Sequence, residues 1–118
     1  MQRLVSATRN SLRAWRVLMR SEAAFKSEVI ALVLALPVGW FIASSFRGYL
    51  LLVGIILALI VVEALNSAIE AACNAYSREF NADIRLAKDC GSLAVALTML
   101  IAAVVWATAL WERFIAGS

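Results

Sequence analysis

At 118 residues, 64% hydrophobic and 16% charged, with a mean hydropathy of +0.86, this chain is too apolar for a water-soluble domain of ordinary composition. It carries a net charge of +3 and no histidine, which excludes a histidine general base, a Ser-His-Asp triad and a His-ligated zinc site. Neither a GxxxxGK[ST] phosphate loop nor a GxGxxG fingerprint occurs, so any nucleotide is held in a less common way, and no nucleic-acid partner is expected.

The first predicted element covers residues 1–26. Arg9, Arg13, Arg16 and Arg20 recur at i, i+4, i+7 and i+11, while Leu4, Ser11, Leu12, Trp15, Leu18 and Met19 take the opposite face. That is the pattern of an amphipathic helix lying on a membrane. Taken alone, its arginines bind anionic lipid and set topology.

Three apolar runs follow, at about 29–46, 48–70 and 90–111. Each is long enough to cross a hydrocarbon core about 30 Å thick as a helix of roughly 20 residues. Helices satisfy their own backbone groups in lipid, and period-2 alternation is absent. The first run follows a basic stretch without a small-residue cleavage site, so it reads as a retained span. Pro37 and Gly39 within it are tolerated in membrane helices and carry no chemistry. Arg3, Arg9, Arg13, Arg16, Arg20 and Lys26 precede the first run, and Arg78, Arg85 and Lys88 lie between the second and third. Arg47 stands alone on the other side, which predicts a cytoplasmic N-terminus and an outward C-terminus. In the third run Gly91, Ser92, Ala94, Ala96, Ala102 and Ala103 form a small-residue surface suited to close helix packing. Cys73 and Cys90 have no paired spacing and read as packing residues. The expectation is a single-domain, all-α membrane protein with three transmembrane helices and an N-terminal surface helix.

The second run carries the functional signal. Glu63, Asn66, Ser67, Glu70 and Asn74 fall on one helical stripe, and an acid near hydrocarbon is penalised by roughly 2.5–3.5 kcal/mol, which marks it as a functional candidate. Near the same boundary stand Glu22 and Glu28, the loop acids Glu79, Asp83 and Asp89, and the cation Lys88. Oxygen ligands suit Mg²⁺, which carries nucleotide phosphates. The set points to phosphoryl transfer, where a protein positions a metal on phosphate oxygens, a cation on developing charge and a base at the attacking hydroxyl. Glu63, the acid deepest toward the lipid, suits the base. The ordinary readings are a Glu22–Lys26 surface pair at i, i+4, a Lys88–Asp89 pair at the start of the third helix, and Glu63 hydrogen-bonded inside a bundle.

The octapeptide Glu63-Ala-Leu-Asn-Ser-Ala-Ile-Glu70, with Ala87-Lys88-Asp89 and Ser21-Glu22-Ala-Ala-Phe25, closely resembles the bacterial integral-membrane diacylglycerol kinase family over nearly the whole chain. The resemblance implies an inner-membrane homotrimer with active sites shared between subunits, which uses ATP and Mg²⁺ to phosphorylate a lipid hydroxyl at the cytoplasmic interface. It implies that Glu63 is the catalytic base, with Asn66, Lys88 and Asp89 in the active site, and that Glu22 and Glu70 hold the metal with ATP. Arg3 and Glu79, together with Lys88 and Asp89, match nucleotide-binding positions. Glu28 and Ser92, together with Glu63, match positions associated with the lipid substrate. The chain departs from the family's pattern where Asn74 stands for Asp, Asn10 for Tyr and Asn81 for His, which bears on adenine contact more than on the reaction. Diacylglycerol is the expected substrate, because Glu22-Ala-Ala-Phe25 and Gly91-Ser92-Leu-Ala-Val95 look like that branch; undecaprenol, used by the family's second branch, is the alternative. A small multidrug or proton-coupled transporter, which has no need of acids of the Mg²⁺ type in its loops, and an inactive assembly subunit are the competing classes.

Overall fold

Local signals set each helix end in the computed structural model, which describes residues 1–116. Helix α1, Gln2–Ser21, stops where Glu22 turns extended (φ −114°, ψ 106°), and Arg20 in its last turn complements the helix dipole. Helix α2, Ala23–Ile42, begins at once, with the Lys26 N–H donating to the Glu22 carbonyl at 3.1 Å. The stretch read from the sequence as one surface helix over 1–26 is therefore divided at Glu22. The cause is Phe25, which is buried and meets the Trp15 ring edge-on at 5.3 Å between centroids, a contact that needs the chain to bend between them.

Helix α3, Phe46–Tyr76, is capped by Ser45, whose hydroxyl accepts from the Gly48 N–H at 3.0 Å. Its 31 residues make a rod roughly 46 Å long at about 1.5 Å per residue. A hydrocarbon core is about 30 Å thick, so the polar end from Glu63 onward is the surplus. Ser77 ends α3 in extended backbone and accepts from the Glu79 N–H at 3.1 Å. Asn81 then caps helix α4, Ala82–Trp111, accepting from the Asp83 and Ile84 N–H groups at 2.9 and 3.2 Å. The short 77–81 connection makes α3 and α4 antiparallel neighbours, and α2 packs on α3 as well. A π-helical turn, Glu112–Ala116, closes the described chain. No strand occurs among the described residues.

The core is a thin seam of Phe25, Ala35, Ile42, Leu52, Leu59, Ile60 and Ala102, while large apolar side chains such as Val33, Leu57, Leu97 and Val104 point outward. In water such surface would drive association; in hydrocarbon it needs no cover. By length and composition Ala23–Ile42, Phe46–Tyr76 and Ala82–Ala116 can each cross a membrane.

At the end remote from α1 the three long helices lock together through aromatics. Tyr49 donates its hydroxyl to the Leu36 carbonyl at 2.9 Å, and the Trp106 indole N–H donates to the Leu52 carbonyl at 3.2 Å. Both rings lie over Gly39, where an added Cβ would stand 3.5 Å from Tyr49 and 3.7 Å from Trp106. Gly39→Ala is therefore expected to be nearly neutral. Gly39→Leu forces the rings apart and is expected to cost about 1–3 kcal/mol, read as a lowered unfolding midpoint in detergent.

Candidate functional site

Because α2 and α3 run antiparallel, the start of α2 lies beside the end of α3. Topology alone thus sets Glu22 and Glu28 opposite the stripe that runs from Glu63 to Asn74. Glu63 is buried, at 6% exposed, and is the one charged side chain so placed among the described residues. It lies close enough to Glu22 and Glu70 for their charges to act on it, and Glu28 is in turn within reach of the charge on Glu63. Glu22, Glu28 and Glu70 are half-buried. Four carboxylates from two helices thus share one end of the bundle.

Among the described residues no Lys or Arg forms an ion pair with them. The ion pair among the described residues is Arg85–Asp89, one turn apart at 4.0 Å on exposed surface, and such a pair contributes little. Neither ordinary pairing that the sequence allows is formed. Glu22 and Lys26 meet only through the backbone, and Lys88 turns away from Asp89 to donate to the Asn74 side-chain oxygen at 2.8 Å. Neighbouring positions on a helix point about 100° apart, which separates Lys88 from Asp89. The Lys88 side chain leans toward the start of α4, as helical side chains do, and spans the hairpin to reach α3. Its partner is a neutral amide, so its charge is not cancelled.

Two buried acceptors in this region have no hydrogen-bond partner: the Glu28 Oε2 and the Asn66 Oδ1. Clustered acids without a counter-charge, beside orphaned oxygens, fit a divalent cation and its polyphosphate, which together supply positive charge and donors. Among the described residues no three His, Cys, Asp or Glu side chains stand so as to hold a metal ion by themselves. Mg²⁺ asks for one or two carboxylates plus waters and phosphates, and Glu22 and Glu70, both acting on Glu63, are the pair available for that.

The remaining sequence-predicted residues stand apart within one chain. Arg3, Glu79, Asp89 and Ser92 are exposed, and none makes a hydrogen bond or ion pair to the acids. Arg3 lies roughly 28 Å along α1 from the joint at Glu22, at about 1.5 Å per residue. The oxygen of Asn81 is committed to capping α4. A cleft of about 710 Å³ opens at the far end between Phe41, Leu52, Thr108 and Arg113 and holds none of the predicted site residues. Arg113 there donates to the Phe41 carbonyl at 3.2 Å and stacks over its ring. Two residues of the site carried no role in the sequence reading. Asn74 was legible as the last polar member of the stripe. Gly91, which packs against Asn66, was visible as one of several small residues and as the start of the Gly91-Ser92-Leu-Ala-Val95 segment, with no role of its own.

Residues 9–110 match the family model described as prokaryotic diacylglycerol kinase. The chain is similar to the diacylglycerol kinase of Escherichia coli strain K12, 32% identical over 112 residues, covering 95% of this chain and 92% of that protein. It is also similar to the diacylglycerol kinase of Pseudomonas aeruginosa, 36% identical over 110 residues, covering 93% and 89% respectively. With the diacylglycerol kinase of Haemophilus influenzae the identity is 27% over 103 residues, 87% of each chain.

Proposed function

The chain belongs to the prokaryotic diacylglycerol kinase family and is a membrane lipid kinase of that family; from this premise we propose that it transfers the γ-phosphoryl group of ATP to the hydroxyl of diacylglycerol, with Mg²⁺, giving phosphatidic acid and ADP. The observation that carries the reading is the uncompensated acidic cluster around buried Glu63, at the polar end of a helix longer than the membrane core.

In this reading Glu63 accepts the proton of the lipid hydroxyl as its oxygen attacks the γ-phosphorus and the bond to the departing ADP oxygen breaks. Glu22 and Glu70 would hold the Mg²⁺, whose charge, once bound, offsets that of the phosphate oxygens. Lys88, held by Asn74 with its charge uncancelled, is available to the same oxygens. Asn66 and Glu28 orient the reacting groups, with Ser92 and Asp89 at the edge. Arg3, far along α1, and Glu79, exposed in the 77–81 turn, serve the nucleotide from a neighbouring subunit in a homotrimer with shared sites. The N-terminus and the 77–81 turn face the cytoplasm at the bacterial inner membrane, on the side where ATP is found.

Purified protein in mixed micelles with ATP and Mg²⁺ tests this. Diacylglycerol is expected to be phosphorylated faster than undecaprenol. The reverse order would move the protein to the undecaprenol branch. Proton-coupled solute uptake in vesicles, with neither lipid phosphorylated, would replace the kinase reading by a transporter.

A further inference from the structure

We propose that Gly91 is a positioning residue for phosphoryl transfer, acting through Asn66; the inference rests on the lipid-kinase reading above. Gly91 is one of two buried residues of α4, whereas Ser92, Ala94, Ala96 and Ala103 of the same small-residue surface are exposed. Its absent side chain is filled by Asn66 of α3. A Cβ built on Gly91 would overlap the Asn66 Oδ1 and lie 3.1 Å from its Cγ and 3.7 Å from its Cβ. The carbonyl end of the amide therefore occupies the place of a Gly91 side chain, and no residue but glycine leaves room for it there.

What the contact does follows from the bonding of the amide. An asparagine kept for structure satisfies its oxygen, because a buried unpaired acceptor is unfavourable. Here the Oδ1 is buried without a donor, and the amide makes no hydrogen bond at all. It is held by shape. With the oxygen against Gly91, the planar amide sets its N–H₂ group about 120° from that contact, and Asn66 lies on the stripe shared with Glu63 and Glu70. Donors fixed toward acids and phosphate oxygens, ahead of the reaction, are the form of preorganisation that stabilises developing negative charge. Gly91 thus decides which face of Asn66 the site sees. An alanine there swings the amide out and leaves the donors unaimed, while the acids and Lys88 stay in place.

A double-mutant cycle with a spectroscopic readout tests this. Gly91→Ala is expected to lower kcat at least tenfold with the KM for ATP changed less than twofold. Added to Asn66→Ala, which empties the space, Gly91→Ala is expected to change kcat less than twofold further. In ¹⁵N spectra of the full chain in micelles, the Asn66 side-chain NH₂ signal should shift in Gly91→Ala. A kcat for Gly91→Ala within twofold of the starting protein, or a further tenfold loss in the Asn66→Ala background, overturns the proposal. If the single variant does not fold, the comparison of the double variant with Asn66→Ala decides alone. Absence of lipid phosphorylation by the unmodified protein refutes the kinase reading instead; the Asn66 signal then decides the contact by itself, and an unmoved signal overturns it.

Discussion

Glu63→Gln is expected to lower the rate of lipid phosphorylation on the order of 10² to 10⁴-fold, the contribution of a positioned base, while leaving the fold at least as stable. The two halves of the prediction come from the same geometry. Glu63 is buried among like charges, with Glu22 and Glu70 acting on it and no cation beside it. A carboxylate in that setting repels its neighbours and forgoes water. Glutamine keeps the shape, removes the repulsion and cannot accept the hydroxyl proton. A residue that weakens its own fold is retained for what it does. The measurement pairs initial rates in mixed micelles with the unfolding midpoint in the same detergent. A near-normal rate would remove Glu63 from the role of base; a lost fold would make it a structural acid.

The parts of this molecule that hydropathy and helical spacing govern were readable from the sequence. Three apolar runs became three long helices because lipid leaves the backbone no other economical partner, and Glu63, Asn66, Glu70 and Asn74 came to one face because 3.6 residues per turn puts them there. Helix ends were less readable. The apolar run of the second span fades near Glu70, yet α3 continues to Tyr76, because its end is set by Ser77 turning extended and not by hydropathy. The first helix breaks at Glu22 through the Trp15–Phe25 contact, which no periodicity announces.

The site shows the same division. That Glu22 and Glu28 would stand across from Glu63 follows from antiparallel spans, and Glu22 also belongs to one of the motifs that carry the family resemblance. Lys88 is different. Its nearest charged neighbour in sequence is Asp89, but its partner is Asn74, fourteen positions back across the hairpin. That pairing depends on the length of the 77–81 turn and on the lean of a long side chain. Gly91 was legible as a small residue and illegible as the seat of Asn66, since only the approach of two helices defines that seat.

Removing Mg²⁺ with a chelator is expected to bring lipid phosphorylation to background, and adding it back to restore the rate. Glu22→Gln and Glu70→Gln should then each raise the Mg²⁺ concentration for half-maximal rate at least tenfold, since even the outer partners of a metal ligand are worth roughly 10- to 100-fold in affinity. Glu28→Gln should not. The reason for the contrast lies in how the four acids are arranged. Glu22 and Glu70 stand at the α2 cap and two turns along α3, and both act on Glu63, so a cation held by them relieves the repulsion they impose on it. Glu28 lies within reach of the charge on Glu63 and carries a buried, unpartnered oxygen, where the lipid hydroxyl is the more fitting donor. Equal half-saturation for all three variants would mean that these carboxylates do not hold the metal. An effect confined to Glu28 would exchange the metal and substrate ends of the site.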